Sequence, residues 1–202
     1  MTELTDPDFI FALGHVPRAK RSAVAALWGL DEQLGRVVAS TTQPMVGQMR
    51  LLWWREAIVL GVEGHPLLAA MASVYASGVD PAAVQILVDG WEELLDPLPL
   101  PEMQLIAYAE RRGALFALTA QICDVTCPVD AGSAWALADF GVRCSDPVTS
   151  SRALALARDL MTGVGMPNVP RPLRILVRLA GHDLATGRKM PRTRWQLLRS
   201  VA

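Results

Sequence analysis

Cysteine is scarce: three occur in 202 residues, too few and too uneven to frame a secreted disulfide scaffold. No stretch reaches about 18 consecutive apolar residues, so a membrane-spanning helix is not expected. The segment from Met1 to Arg21 places its acids before a short apolar run and its bases after it, the reverse of a signal peptide. Charged residues make up only 19% of the chain and the net charge is −1, which excludes a globally basic nucleic-acid binder. Aromatics are sparse at 6%, yet six of them are Trp against four Phe and two Tyr. What is abundant is apolar mass, 51% of residues, enough to bury a sizeable core. These proportions imply one soluble, cytoplasmic, helical domain over residues 1–202.

Charge is unevenly placed. From Arg171 to Ala202 eight bases face Asp183 alone, giving 8 − 1 = +7, which leaves 11 − 19 = −8 for residues 1–170. A cationic segment on an acidic body can dock on that body, on an anionic membrane surface or on an acidic protein partner.

Apolar residues recur at helical spacing throughout, and no segment alternates with period two. Helices are predicted over about 19–38, 45–61, 67–77, 82–95, 102–124, 131–143, 148–161 and 172–180, with a short one near 194–199. Asp80-Pro81 and Asp146-Pro147 each read as an N-cap with Pro at the first helical position, and Gly61 as a C′ residue. The run Asp96-Pro97-Leu98-Pro99-Leu100-Pro101 cannot continue a helix and reads as a linker. The expected fold is an all-α bundle of seven to nine helices.

Several residues are candidates for chemistry. On the helix predicted over 82–95, Asp89, Glu92, Glu93 and Asp96 lie at i, i+3, i+4 and i+7 on one face, a spacing able to hold a divalent metal, although a solvated face has the same pattern. Asp31 and Glu32, one turn before Arg36, read as an intrahelical ion pair. Cys123 and Cys127 form at most half a zinc site and read as buried structural thiols. His15, His65 and His182 lack metalloprotease spacing, and no nucleophile elbow, P-loop or dinucleotide fingerprint occurs. In Arg50-Leu51-Leu52-Trp53-Trp54-Arg55, two Trp lie between two Arg, suited to pairing an anion with an apolar chain or simply to packing helices.

Pro17-x-x-x-Arg21, AALWGLDEQLGRVV, then Gly47-x-x-Arg50-Leu51-x-Trp53-Trp54-Arg55-x-x-Ile58 resemble the squalene/phytoene synthase family. Gly64-His65-Pro66-Leu67, Leu87-Val88-Asp89-Gly90, Tyr108-Ala109-x-x-x-Gly113 and Gly132-x-Ala134 follow in the family's order. The resemblance implies an isoprenoid-synthase-like helical bundle around a deep apolar cavity. In active members it implies head-to-head joining of two prenyl diphosphates, with Mg²⁺ held by two facing Asp-rich helix segments.

The chain departs from that pattern at both segments. Aligned from Trp28, the first set of carboxylate positions falls on Gly35, Arg36 and Ala39, and the second brings Arg143 to an expected Asp. In this it resembles the degenerate branch of the family that includes a mitochondrial complex I assembly factor. The first reading is therefore a catalytically degenerate protein that binds an isoprenoid or lipid, or assists assembly of a membrane-associated complex. Arg18, Arg21, Arg50 and Arg55 would take an anionic head, and Trp53, Trp54 and Tyr108 would line the ligand. The second reading is an active Mg²⁺-dependent prenyltransferase with Asp89, Glu92, Glu93 and Asp96 as substitute metal ligands. The third is a helical interaction subunit whose cavity has filled with side chains.

Overall fold

A computed structural model describes residues 4–61, residues 64–189 and Ser200. Among these residues the chain is all-helical, with nine α-helices. They are α1 (Pro7–Leu13), α2 (Arg21–Ala39), α3 (Pro44–Leu60), α4 (Pro66–Tyr75), α5 (Pro81–Glu92), α6 (Glu102–Ile122), α7 (Val129–Gly141), α8 (Pro147–Gly163) and α9 (Arg171–Thr186). The short helix expected near 194–199 lies outside the described residues.

Asp-Pro pairs start three of these helices. Asp6, Asp80 and Asp146 each accept a backbone N–H from the first turn, of Asp8, Ala82 and Thr149, while Pro fills a position whose N–H needs no partner. Asp6 opens α1, which the sequence reading had passed over. At the other end of α3, Gly61 takes the left-handed conformation (φ +64°) and closes the helix as expected.

The central helix is α2. Its Trp28 is fully buried, and the indole Nε1 donates to Thr119 Oγ1 of α6 at 2.9 Å. Buried residues from all nine helices join one core. Small residues set the spacing of α5, α6 and α7. A Cβ at Gly132 would overlap the Gly113 carbonyl oxygen, and one at Gly90 would stand 2.9 Å from the backbone N of Arg112. Backbones can approach this closely only where there is no side chain, and the two crossings converge on Arg112.

Two expectations change. Helix α5, predicted over 82–95, ends at Glu92, so Asp96 lies beyond the helix and the four-acid face is broken. The Pro-rich linker is built into the body: Thr149 Oγ1 accepts the Leu100 N–H at 3.0 Å, and Arg152 donates to the Leu100 carbonyl.

Candidate functional site

A cavity of about 1140 Å³ opens between α1, α2, α5, α6 and α7, with the Pro-rich linker on its rim. Its walls are apolar and aromatic: Phe9, Val38, Trp91, Leu94, Leu100, Trp135 and Phe140 all face it. Its polar end is an ionic network in which Arg112 is the centre.

Arg112 is only 4% exposed. Its Nη2 lies 2.9 Å from Asp31 Oδ2 on α2, and its Nη1 lies 3.0 Å from Asp139 Oδ2 on α7. Nη1 also donates to the Tyr108 hydroxyl at 2.8 Å. The guanidinium carbon sits 4.5 Å from the ring centre of Trp91 and 4.4 Å from that of Trp135, so two indoles sandwich the cation. The Trp91 indole N–H in turn donates to Asp31 Oδ1 at 2.8 Å. Burying such a charge is tolerable only because every face of it is met.

The network extends outward from Asp139. Arg143 Nε is 2.9 Å from Asp139 Oδ1, and its Nη2 pairs with Asp6 at the N-cap of α1. Lys189 Nζ reaches Asp8, Asp139 and Asp183 at 2.7, 3.3 and 3.6 Å. Burial alone would raise the Asp139 carboxyl, but Arg112, Arg143 and Lys189 outweigh it and hold the group well below the usual carboxylate range. Burial pushes the Tyr108 hydroxyl up, beyond reach of physiological pH. Within the network Lys189, from the cationic C-terminal segment, docks on the protein's own body.

The positions where the family pattern leads one to expect carboxylates do line this cavity, from α2 (Gly35, Arg36, Ala39) and from the turn just after α7 (Arg143). None carries a carboxylate. A side chain at Gly35 would begin 2.9 Å from the Trp91 ring, so the indole takes the space a metal ligand there would need.

The acids that are present do not fit Mg²⁺. Asp31 is engaged by Arg112 and Trp91, and Asp139 by Arg112, Arg143 and Lys189. Glu32 accepts the backbone N–H groups of Thr5 and Asp6 at the start of the described chain, which replaces the ion pair with Arg36 expected from sequence. Among the described residues no group of three or more His, Cys, Asp or Glu is arranged to hold a metal ion.

The residues singled out by sequence are dispersed. Tyr108 lines the cavity. Arg55 lines a shallower pocket of about 410 Å³ with Asp89, Glu92, Glu93 and Asp96. There Asp89 pairs with Arg55, Glu93 with Arg111, and Asp96 accepts from Gln104. Two of the four acids are thus bound to arginines and a third to Gln104, and among the described residues they form no metal-holding group. Arg21 is spent on the carbonyls of Val16 and Gly14, at 2.9 and 2.8 Å. Arg18 lies exposed in a 3₁₀ turn (Arg18–Lys20) and Arg50 lies exposed on α3. Trp54 is buried edge-on against Trp53 and His65, while Trp53 is partly in solvent. The tryptophans of the cavity wall are instead Trp91 and Trp135. Cys123 and Cys127 are half-buried and free, with burial raising the Cys127 thiol to about 11.

Sequence reasoning passed over Arg112 and Asp139, and it read Asp31 as part of an intrahelical ion pair with Arg36. A signal was available. Asp31 follows Leu27 by four and precedes Leu34 by three, and Arg112 lies midway between Tyr108 and Phe116. A single charge within each of two apolar stripes marks each as a buried ion that needs a partner, without saying which.

The cavity between α2 and α7 is the kind of site expected of a helical isoprenoid-synthase bundle, and the family comparison agrees. The family model for squalene/phytoene synthase matches residues 3–142, and the chain belongs to that family. Neither a search of curated proteins nor a search of solved structures returned a match. Among the described residues no helix is long and apolar enough to cross a membrane.

Proposed function

We propose that this chain is a catalytically degenerate squalene/phytoene synthase-like protein that uses the cavity to bind an isoprenoid or lipid chain without metal chemistry. The observation that carries this reading is the Asp31–Arg112–Asp139 clamp. The cavity keeps aromatic walls suited to an apolar chain. At its polar end a fixed guanidinium already compensates the carboxylates that a metal would need. Arg36 has no ion pair among the described residues and sits exposed on the lining. An anionic head is therefore met at the rim and not at the buried end.

The cavity tryptophans supply the test. Titration with farnesol and with farnesyl diphosphate should change the fluorescence of the wild type. The change should be reduced in Trp135→Phe, which leaves Trp91 to report, and lost in Leu94→Trp, which fills the cavity from its wall. Ligand that binds only the folded state also raises the melting temperature. Neither readout responding at saturating ligand would contradict the reading and favour a helical interaction subunit.

A further inference from the structure

Helix α3 turns an apolar face to solvent. Met45 is 73% exposed, Met49 67%, Leu52 54% and Trp53 43%. At about 100° per residue these four fall within about 100° of arc on one side of the helix, with exposed Val46 at the edge. Soluble proteins scatter such residues singly, whereas a continuous stripe marks a contact surface.

Two cations flank the stripe. Arg50 lies beside it on α3, exposed, and its described partner is the Ser40 hydroxyl at 3.3 Å. Arg36 lies one turn before the end of α2, where its carbonyl accepts the Ser40 N–H at 3.0 Å. Both are exposed and neither has an ion pair among the described residues. The same corner holds the cavity mouth, since Arg36, Thr41, Thr42 and Pro44 line the cavity and Met45 follows directly. Exposed Leu98 of the linker also lines that cavity.

From this juxtaposition we infer that the N-terminal half of α3 docks on an anionic lipid surface. Met45, Met49, Leu52 and Trp53 would enter the headgroup–acyl boundary, with Arg36 and Arg50 on lipid phosphates. Apolar side chains with an amphipathic Trp, edged by unpaired arginines, fit that boundary. Glu56 shares the stripe one turn beyond Leu52. An inclined approach, Met45 deepest, keeps its carboxylate and the last turn of α3 on the water side. Docked this way, the cavity mouth faces the bilayer and an apolar chain can pass into it without crossing water. The docking face rests on exposure and charge alone, so it stands or falls separately from the cavity reading.

Co-sedimentation of the full chain with phosphatidylglycerol–phosphatidylcholine vesicles tests it, alongside its oligomeric state by light scattering. Binding should favour anionic over neutral vesicles and weaken with salt. Met49→Glu combined with Leu52→Glu, both at exposed positions, should lower partitioning at least about tenfold, with unchanged circular dichroism. Arg50→Glu should reduce binding to anionic vesicles while leaving binding to neutral ones as it was. Binding that survives the double substitution would assign the membrane contact to the basic 171–202 segment and overturn the inference. A concentration-dependent dimer that the double substitution splits, with no vesicle binding, would give the face to a second copy and overturn it equally. Vesicle binding without farnesol binding would leave the docking face standing and remove the cavity reading.

Discussion

Arg112 carries a full charge while almost wholly buried, and four groups make that tolerable: two carboxylates and two indoles. Removing it leaves Asp31 and Asp139 buried with fewer cations than they were built around. Breaking a buried pair this way costs about 3–5 kcal/mol, so Arg112→Ala should shift the urea unfolding midpoint sharply downward. An unchanged midpoint would show that the clamp contributes nothing to stability. Asp139 adds a pH signature. Its folded pKa lies below its unfolded value, so its contribution is complete above about pH 4 and is lost as pH falls from there toward the folded value. Unfolding free energy measured from pH 6 down to pH 2.5 should therefore fall, and Asp139→Asn should flatten that decline. Lys189 is also held in its charged form, since Asp139 and Asp8 outweigh the burial that would lower it. That interaction persists through neutral pH and is lost only in strong alkali.

The elements that hold this arrangement owe their spacing to glycine. At the α6–α7 crossing a methyl group on Gly132 has no room, because the Gly113 carbonyl is already there. Gly132→Ala should cost about 3 kcal/mol, a fall of roughly 6–12 °C in Tm, and should disturb Asp139 two turns further along α7. Gly163, at the end of α8 with open space around its Cβ position, is the control, and alanine there should be neutral or slightly stabilising. Equal effects from the two would contradict the packing account. These elements were largely legible in the sequence. Asp-Pro caps and Gly61 announced helix boundaries through local chemistry, and Gly90, Gly113 and Gly132 stood in the family-like motifs. What was missed has a tertiary origin. Helix α1 is a seven-residue element, too short to hold by its own propensity, and it is fixed by Glu32 and by Phe9 stacking on Trp28 at 4.9 Å. Helix α5 stops at Glu92, where Leu94 and Leu95 leave the helix to pack on the core.

Across the whole molecule, α2 and α7 face each other over an apolar cavity as the family pattern leads one to expect, yet the positive charge between them belongs to the protein. The sequence placed the two facing segments and the loss of their carboxylates. It could not place Arg112, because which cation answers a buried Asp depends on a contact spanning 81 residues, and no local pattern encodes that. It also drew attention to Trp53 and Trp54 for their conspicuous spacing, although helix direction turns Trp53 outward and buries Trp54 away from the cavity lining. The most direct measurement on the central claim is a calorimetric titration with farnesyl diphosphate in Mg²⁺ and in EDTA, with released diphosphate assayed in the same samples. The account predicts the same affinity in both and no release. Binding that requires Mg²⁺, or diphosphate appearing only with it, would contradict the claim that Arg112 has taken over the role of the metal.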